Sequence, residues 1–546
     1  MTVLAILGLL AASALSAQQP SQQDACRLEG RILHHTTGQP IRKATVTLIG
    51  AAGQRQSWAA TSGDGGGFLF ENIPPGRYQL AAERNGFVRQ SYGARAGSPV
   101  GTPITLDTGQ RMEGLEFKLT PQAVIVGKVV DEEGEPVTGS QIMVLRQGAY
   151  QRTGGGRMAP SGGQASNDLG EFRVANLAPG RYIVSATSRG GMFRGRRAIR
   201  ASSEGPEERQ VTTYYPGVTN AASATAIEVA PGQEVPGILI QIRKAQVFHV
   251  SGRLSGVGEN PSRSFRISLM PRTRFASPFG RGGGFGVVQP DGTFDIQGVQ
   301  AGSYDLCVFR MIQGRQPMAA RVPVVVSGAN VEGLLVPVGA PLVLTGTVKM
   351  ENSEEITGMR GNIMLRPSEG FAMNNASANV QADGTFRMES VGRDKYSLTF
   401  FRLPDGTFVR SARMGNLEVL DKGLDLTLVE VAPPIEIVLS TKGGMVDGTV
   451  VVDGQPAPGR PVTLIPEPMR PDRPDLFKTA NTDQSGAFSF SAIAPGEYTL
   501  YAWEENIDDS LFDPDFIKLF SDKGKRVTVR ENGQSGAQLT VVKDER

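Results

Sequence analysis

The sequence is poor in the residues that metal and thiol chemistry uses. Among its 546 residues there are only two Cys and three His. A catalytic zinc needs three protein ligands, commonly two His and a carboxylate, and the sequence has no HExxH string. His34 and His35 are adjacent in a predicted strand and would point to opposite faces, while His249 is distant in sequence. These observations argue against a zinc enzyme.

Other catalytic patterns are missing as well. No GxSxG elbow accompanies any His, and the string GRGGGFG at 280–286 lacks the Gly-Lys-Ser/Thr ending of a phosphate loop. The acidic run between Glu504 and Asp515 lacks the central Gly and terminal Glu of an EF-hand loop. The sequence therefore predicts no enzyme, no catalytic residue, no metal site and no cofactor.

An excess of one charge is also missing. The chain has 56 Lys and Arg against 54 Asp and Glu, so its formal net charge is only +2. No field of a single sign covers the molecule, which excludes a general polyanion-binding protein. We therefore expect no nucleic-acid partner.

Long hydrophobic runs are absent except near the first residue. Residues 1–17 hold an uncharged apolar run of 13 residues, Val3 to Leu15, followed by small residues and a polar stretch. A membrane-spanning helix needs about 18 or more apolar residues. The pattern predicts a signal peptide over 1–17, a secreted, periplasmic or outer-surface location, and no transmembrane segment after cleavage. Cys26 and Cys307 are 281 positions apart, and we interpret both as unpaired or buried.

One pattern recurs five times along the remaining chain. Each copy has Gly-x-Phe, an alternating strand, a tight turn, and a Tyr that lies 12 residues after the first Gly. Chance does not maintain one spacing through such varied sequence, so the Phe and Tyr are expected to be structural anchors inside each repeat. The anchors are Phe68 and Tyr78, Phe172 and Tyr182, Phe294 and Tyr304, Phe386 and Tyr396, and Phe488 and Tyr498.

A second Gly opens a predicted strand upstream of each copy, at Gly30, Gly127, Gly252, Gly346 and Gly448. Successive Phe anchors are separated by 104, 122, 92 and 102 residues, which is the size of an immunoglobulin-like sandwich. The sequence thus predicts an all-β chain of five tandem Greek-key β-sandwiches of transthyretin or immunoglobulin type. We name them repeats one to five and expect them at 26–120, 121–245, 246–340, 341–440 and 441–546.

The turn before the Tyr has Gly two residues before it in four of the five repeats. Repeats one, two and five have Pro-Gly, which fixes one φ and permits a positive φ next, and repeat three has Ala301-Gly302. Repeat four has Arg393-Asp394 there and is the most degenerate copy. A Tyr directly after such a turn resembles a tyrosine corner, in which the hydroxyl group bonds the backbone a few residues upstream.

The strings GRILHHTTGQPIRKATVTL and GGGFLFENIPPGRYQL in repeat one resemble the carboxypeptidase regulatory-like domain, a transthyretin-related sandwich. GTVVVDGQPAPGRPVTL and DQSGAFSFSAIAPGEYTL in repeat five show the same pattern. Repeat two also shows it well, and repeats three and four show it more weakly. The resemblance implies the fold of nearly all of the exported chain. It also implies the carbohydrate-binding-like superfamily, which makes a glycan the first ligand to test.

A basic, Gly-rich insertion in repeat two is one candidate binding site. The string RGGMFRGRRAIR has five Arg and no acidic residue, and Arg forks suit phosphate or carboxylate groups. The alternative, which the sequence favours because Gly-rich basic stretches rarely order alone, is a flexible, solvated insertion. The five residues are Arg189, Arg194, Arg196, Arg197 and Arg200.

An aromatic pair in repeat five is another candidate. Tyr501 and Trp503 lie on one side of a predicted strand and could stack on a sugar ring. The alternative is that a short helix after Asp513, whose apolar residues include Phe516 and Phe520, covers Trp503. The sequence favours the second interpretation.

The sequence as a whole favours an exported, non-catalytic, multidomain binding and spacer protein, with a polysaccharide or envelope proteins as partners. The competing hypothesis is a purely structural stalk of the cell envelope or a protein-interaction scaffold.

Overall fold

The computed structural model describes residues 25–50, 56–94, 96, 101, 103–147, 158–188, 207–259, 261–272, 284–312, 316–351, 361–368, 375–483, 485–504 and 507–542. The chain divides into two compact units. The first contains repeat one up to Leu119, apart from residues 86–88 and 93–100, and the second contains the rest. The described residues are almost entirely β-strand, as the sequence predicts.

Repeat one is a sandwich of two sheets. One sheet has the order β4-β1-β8, and the other has the order β3-β2-β5-β6 with β7 on β5. Strand β1 pairs antiparallel with β4 and parallel with β8. The strands are β1 (Cys26–His34), β2 (Thr45–Gly50), β3 (Ser57–Thr61), β4 (Gly67–Ile73), β5 (Gly76–Glu83), β6 (Gln90–Ser91), β7 (Ile104–Leu106) and β8 (Arg111–Leu119).

Repeat two has the same pair of sheets, with the orders β12-β9-β17 and β11-β10-β13-β15, and with β16 on β13. Its strand β14 does not join either sheet but pairs with β18 of repeat three. The strands are β9 (Ala123–Val130), β10 (Gln141–Gln147), β11 (Met158–Ala165), β12 (Glu171–Leu177), β13 (Gly180–Thr187), β14 (Glu207–Gln210), β15 (Thr213–Tyr214), β16 (Ile227–Val229) and β17 (Glu234–Gln241).

In repeat three the two sheets are joined, because β20 pairs with β19 of one sheet and β21 of the other. The order is β14-β18-β21-β20-β19-β22-β23, with β24 on β18. The elements are β18 (Lys244–Ser255), α1 (Pro261–Ser264), β19 (Phe265–Pro271), β20 (Phe285–Val288), β21 (Thr293–Val299), β22 (Gly302–Arg310), β23 (Met318–Val326) and β24 (Val331–Pro337).

Repeat four has sheets of the order β28-β25-β33-β30-β31 and β27-β26-β29-β32. The strands are β25 (Leu342–Met350), β26 (Asn362–Pro367), β27 (Ala376–Asn379), β28 (Thr385–Val391), β29 (Lys395–Phe401), β30 (Phe408–Met414), β31 (Leu417–Glu418), β32 (Leu424–Asp425) and β33 (Ile435–Ser440).

Repeat five has the order β35-β34-β41-β39-β36-β37, with β38 on β34 and β40 on β39. Short 3-10 turns lie at Pro474–Leu476 and Asp508–Phe512. The other elements are β34 (Gly444–Val452), β35 (Gln455–Pro456), β36 (Pro461–Pro466), β37 (Lys478–Asn481), β38 (Ala487–Ile493), β39 (Gly496–Trp503), α2 (Pro514–Lys518), β40 (Lys525–Val529) and β41 (Gln534–Val542).

Repeats two to five each have a hydrophobic core of their own. The buried residues of these cores span Ala123 to Ile242, Phe248 to Val336, Leu342 to Leu439, and Val446 to Val542. Each core fills the space between the two sheets of one repeat. The predicted all-β sandwich fold is therefore confirmed.

The ten Phe and Tyr anchors lie inside these sandwiches. None has more than 5% of its surface exposed, and Tyr78, Tyr182 and Tyr396 are fully buried. In every repeat the Tyr hydroxyl donates a hydrogen bond to the backbone carbonyl four residues earlier, at O···O distances of 2.5 to 3.1 Å. The hydroxyl group is thus satisfied although it is buried, which ties each turn to its core.

The recurring Gly that was expected to open the first strand of each repeat lies inside that strand, which begins at least four residues earlier, and close packing requires a glycine there. A Cβ atom on Gly448 would lie 2.0 Å from the carbonyl oxygen of Ala537 in β41 and 2.6 Å from the ring of Phe488. Gly30, Gly127 and Gly346 show the same double approach, to a parallel partner strand and to the Phe anchor of their own repeat. The recurring Gly and the recurring Phe are therefore one packing unit.

The repeats share a backbone feature that the sequence pattern does not reveal. The residue six positions before each Tyr anchor has a positive φ, between 52° and 75°. It lies where β4, β12, β21, β28 or β38 shifts its register against the first strand, as in a β-bulge. The five residues are Asn72, Asn176, Gly298, Ser390 and Ala492. Because the side chains of these five residues differ, the sequence shows no motif at this position.

Candidate functional site: the contacts between repeats three, four and five

The aromatic pair of repeat five does not form a sugar-binding platform. Tyr501 is 3% exposed and Trp503 is 1% exposed. The two rings stack on each other with centroids 5.3 Å apart, and Phe520 of the segment after α2 meets Trp503 edge-on at 5.2 Å. The Trp503 indole N–H donates a hydrogen bond to Thr463 Oγ1 at 2.9 Å. The glycan interpretation of this pair is corrected, because the rings are covered and their polar group is already satisfied.

The Arg-rich string of repeat two lies outside the described residues, since Arg189 to Arg200 fall in the gap between 188 and 207. The chain on both sides of this gap is anchored. Thr187 Oγ1 and Thr212 Oγ1 are hydrogen-bonded at 2.9 Å. Beyond the gap, β14 pairs with β18, with Glu207 opposite Val247 and Gln210 opposite Lys244.

The few His and Cys side chains do not converge. Nδ1 of His249 lies 3.2 Å from Asp295 and Nε2 lies 3.9 Å from Glu207, so its two nitrogens face different carboxylates. In the part of the chain that the structure describes, no group of three His, Cys, Asp or Glu side chains could hold a metal. Cys26 and Cys307 are both buried and no disulfide joins them. Burial raises the pKa of the Cys307 thiol to about 12.

The best-developed polar site is the contact between repeats three and four. It is formed by Arg393 and Asp394, the two residues that replace Pro-Gly in the turn of repeat four. Arg321 Nη2, on β23 of repeat three, donates to Asp394 Oδ2 at 2.8 Å. Asp394 is 2% exposed and the Arg321 side chain is 11% exposed, so the ion pair is almost completely removed from water.

Arg393 uses its backbone and its side chain in the same contact. Its N–H donates to the carbonyl oxygen of Met318 in repeat three at 2.9 Å, and its guanidinium donates to the carbonyl oxygens of Ala340 in repeat three and of Val429 in repeat four itself. A Cβ atom on Gly339 would lie 1.9 Å from Arg393 Nε, so the guanidinium lies directly against this glycine. The turn that the sequence marks as degenerate is thus specialised for contact with the preceding repeat.

A second buried arginine lies between repeats four and five. Arg473 of repeat five is 5% exposed and donates to both carboxylate oxygens of Asp475, at 2.9 and 2.8 Å. It also donates to Asp421 of repeat four. Burial alone would lower the pKa of Arg473, but the hydrogen bonds and charges of Asp475 and Asp421 outweigh it and raise that pKa. Arg470 reaches the same Asp421 oxygen at 3.3 Å.

A change of topology in repeat four makes room for repeat five. In repeats one, three and five, the strand after the Tyr strand pairs with the Tyr strand, and in repeat two β15 does so. In repeat four, β30 instead pairs with β33 of the other sheet. The 3-10 turn Pro474–Leu476 of repeat five packs against the Tyr strand β29 of repeat four. Thr399 on β29 is only 4% exposed. The 3-10 turn of repeat five thus covers β29, the Tyr strand with which β30 does not pair.

A small cavity lies at this contact. Leu403, Thr407 and Phe408 of repeat four line it together with Lys478 and Tyr498 of repeat five, among others. Burial lowers the pKa of Lys478 and raises the pKa of Tyr498 to about 12. The surroundings of the Tyr anchor in repeat five are therefore shared with repeat four.

Exposed ion pairs border this contact. Arg410 of repeat four pairs with Glu531 of repeat five. Glu351 accepts from Ser440 Oγ at 2.6 Å and lies 3.6 Å from Lys442, and the Ser440 hydrogen bond is the main reason why its pKa is lowered. Exposed pairs of this type contribute little to stability. The loss of a partner of a buried arginine is therefore expected to affect the junction more than the loss of an exposed pair.

Little in the sequence indicates this site. The replacement of Pro-Gly by Arg393-Asp394 in the turn of repeat four was the one available signal. Arg473 and Asp421 are 52 positions apart, and neither belongs to a motif. Only the packing of two repeats brings them together.

Comparison with known families supports the assignment of repeat one. Residues 27–120 match the model of the carboxypeptidase regulatory-like domain. The resemblance predicted for this repeat is confirmed, and the other repeats are consistent with a tandem array of such domains. A search of curated proteins found no match.

Several solved structures show partial similarity. The Bacillus anthracis TIE protein is 13% identical, with 58% of this chain and 51% of that chain covered and a TM-score of 0.17, so the chain spans about half its length. The minor pilin GBS52 of Streptococcus agalactiae is 14% identical, with 40% and 96% covered and a TM-score of 0.21. BcpA, the major pilin subunit of Bacillus cereus, is 8% identical, with 58% and 100% covered and a TM-score of 0.14. These values are too low to assign a function. Separately, no helix among the described residues is long and apolar enough to cross a membrane.

Proposed function

We propose that the protein is an exported, non-catalytic spacer and binding protein of the cell envelope or the extracellular space. Its five sandwich domains would lie at 26–120, 121–245, 246–340, 341–440 and 441–546. Repeats three, four and five would act as a coupled scaffold, while the loops and sheet faces of the array remain available to bind partners.

The observation that carries the scaffold role is the buried Arg321–Asp394 pair, at 2.8 Å. A buried pair costs desolvation, and its loss leaves an uncompensated charge, so such a pair favours one arrangement of its two repeats over others. Arg473 with Asp421 and Asp475 provides the equivalent contact at the next junction. A chain of independent domains would not need either arginine in a buried position.

The test is Asp394→Ala in the mature chain, followed by hydrogen exchange and thermal unfolding. Removal of the carboxylate should leave Arg321 buried without its partner, at a cost of about 3–5 kcal/mol. Amide exchange should then increase on both sides of the junction, in β23 as well as β29. The control is Glu436→Ala, which removes an exposed partner of Lys349 and should leave exchange unchanged. Faster exchange confined to repeat four would contradict the scaffold role.

The Arg-rich insertion is proposed as the part of repeat two that binds anionic groups, either phosphate or carboxylate on a polysaccharide. The test replaces Arg194, Arg196 and Arg197 by Gln and measures retention on immobilised alginate and heparin at increasing salt. The charge-neutralised chain should elute at lower salt than the native chain. Equal elution would contradict the proposal for this loop and leave the scaffold role untouched.

Export is proposed from the N-terminal apolar run. Mass spectrometry of protein recovered from outside the cytoplasm should give a mature chain that begins near Gln18. Retention of residues 1–17 on a cytoplasmic product would contradict it.

A further inference from the structure

Repeat two contributes one strand to a sheet of repeat three. Strand β14 pairs antiparallel with β18, with Glu207 opposite Val247 and Gln210 opposite Lys244. Among the described strands of repeat two, no other joins a sheet of repeat three. The contacts that hold β14 on β18 therefore decide how firmly this strand of repeat two is attached to its neighbour.

The Gln210 end of β14 is held by contacts that do not respond to mild acid. The N–H of Val211 donates to the carbonyl oxygen of Arg243 at 3.0 Å. Next to it, Lys244 pairs with Glu132 of repeat two at 3.2 Å, and the hydrogen bond from the Lys244 N–H is the main reason why the pKa of Glu132 is lowered. This carboxylate stays ionised at neutral and mildly acidic pH, so the contact persists there.

The Glu207 end of β14 is held by His249 of β18. Nδ1 of His249 lies 3.2 Å from Asp295 Oδ1 on β21, and Nε2 lies 3.9 Å from Glu207 Oε2. The backbone N–H of His249 donates to Asn330 Oδ1 at 3.0 Å, which fixes the position of the residue. The imidazole thus lies between a carboxylate of repeat two and a carboxylate of repeat three. We name these three side chains the His249 bridge.

Each carboxylate of the bridge has one oxygen satisfied by its own strand. Arg209 Nε donates to Glu207 Oε1 at 2.6 Å, and Gln297 Nε2 donates to Asp295 Oδ2 at 2.8 Å. The other oxygen of each carboxylate faces the imidazole. The remaining charged residues of β14, β18, β20, β21 and β24 are Glu208, Lys244, Arg253 and Glu332. Of these, Arg253 pairs with Asp291 and Lys244 with Glu132.

A neutral imidazole cannot donate to both carboxylates. It has one N–H donor and one lone pair, so one ring nitrogen would present its lone pair to a carboxylate oxygen. Protonation adds the second donor, and the imidazolium then has an N–H toward Asp295 and another toward Glu207. The position of the ring between two carboxylates is therefore matched to its charged form. Histidine is the side chain that ordinarily changes its charge between pH 5 and 8.

The junctions on either side of repeat four have no such group. They contain Arg321 and Arg473, and a guanidinium is not deprotonated in proteins. His249 is the only His in residues 121–546. Among the three junctions that link repeats two to five, only the one between repeats two and three thus contains an imidazole that mild acid can charge.

We propose that the His249 bridge is a pH-dependent contact that holds β14 on repeat three. Protonation of His249 strengthens the contact with Glu207, and deprotonation weakens this end of β14 while the Gln210 end stays paired. The contact is strongest near pH 5.5 and is lost toward pH 8, because the attached strand favours a proton that the released strand gives up. The inference goes beyond the proposed function, since it concerns another junction and uses none of the residues that carry the scaffold role.

The test is amide hydrogen exchange of the mature full chain at pH 5.5 and pH 8.0, with the rates corrected for the intrinsic effect of pH. Protection of β14 should be about two- to fivefold higher at pH 5.5, which is the range expected for a partly exposed ion pair. His249→Gln cannot gain a charge and should remove this difference. His249→Lys keeps a charge at both pH values and should give the higher protection at pH 8.0 as well.

The control is His35→Gln, which removes an exposed imidazole from repeat one and should leave the pH difference of β14 unchanged. Equal protection of native β14 at both pH values would overturn the inference. A pH difference that persists in His249→Gln, or low protection in His249→Lys at pH 8.0, would do the same. Exchange in β23 and β29 of the Asp394→Ala variant tests the scaffold role separately, so either proposal can fail alone.

Discussion

The interior of each repeat and the turn before its Tyr anchor differ in how much their residues vary from repeat to repeat. The Tyr anchor and its hydrogen bond to the carbonyl oxygen four residues earlier occur in all five repeats. The two residues of the adjacent turn are Pro495-Gly496 in repeat five but Arg393-Asp394 in repeat four. Only the second pair makes a buried ion pair with another repeat.

The difference teaches where the sequence of such an array is free to change. A side chain that faces its own core has a fixed volume to fill, and every repeat fills it in the same way. A turn residue that contacts a neighbouring repeat has to fit only the side chains and backbone groups of that repeat. Divergence from the pattern in repeat four therefore indicates a contact rather than a loss of structure.

The largest effect is expected from a change to the interior. Gly448→Val would place a Cβ atom 2.0 Å from the carbonyl oxygen of Ala537 and 2.6 Å from the ring of Phe488, so the pairing of β34 with β41 would have to shift. We expect repeat five to lose about 4 kcal/mol or more, measured by denaturant unfolding.

The matched control is Gly536→Ala in the partner strand β41. The nearest heavy atom to a Cβ there is 4.0 Å away, so the substitution should be close to neutral. Equal destabilisation by the two variants would show that the close approach at Gly448 is not the reason for its recurrence.

A smaller effect, confined to the junction, is expected when the turn of repeat four is converted to the common sequence. The double variant Arg393→Pro, Asp394→Gly should keep the Tyr396 corner and the core of repeat four. It should lose the bonds to Met318, Ala340 and Arg321, at a cost of about 3–5 kcal/mol for the unpaired arginine. Adding Arg321→Met should recover much of this loss, because the stranded charge is removed. Failure of the third substitution to recover stability would mean that the turn itself is strained.

Alkaline pH should weaken the interiors irrespective of the turn sequence. Burial raises the pKa of Tyr304 and of Tyr498 to about 12, although their turns differ. A raised pKa in the folded state means that the stabilisation is complete below pH 10 and is lost as the pH rises toward 12. Each ring is expected to account for about 2 kcal/mol at the upper end. Absorbance at 295 nm should show these rings ionising together with unfolding, and their ionisation in a chain that remains folded would contradict the buried assignment.

The smallest effect is expected from the hydroxyl group alone. Tyr396→Phe keeps the ring of the anchor but removes its hydrogen bond to Gly392, so we expect a loss of about 1 kcal/mol. Tyr498→Phe should give a similar value, because its bond to Ala494 is equivalent. A clear difference between the two, measured by thermal unfolding, would show that the neighbouring repeat contributes to one corner and not to the other.

Much of the fold could be predicted because its signals are local or periodic. Alternation in FLFENI and GRYQL placed Phe68, Phe70, Tyr78 and Leu80 on interior faces, and the structure buries all four. The covering of Trp503 was also predictable, because the sequence predicts a short helix after Asp513 whose apolar residues need a surface to pack against. The candidate site was far less predictable. The transfer of β30 to the other sheet and the pairing of β14 with β18 depend on backbone hydrogen bonds, which any side chain can accompany.

The sequence by itself determined the number of patterned units, their strands and the rings that fill them, because a period of two and a fixed spacing are written along one stretch of chain. Only the tertiary structure decided which charges are buried between repeats. Those outcomes depend on where distant segments meet, and the energy of an ion pair is set by the atoms around it rather than by its neighbours in the sequence.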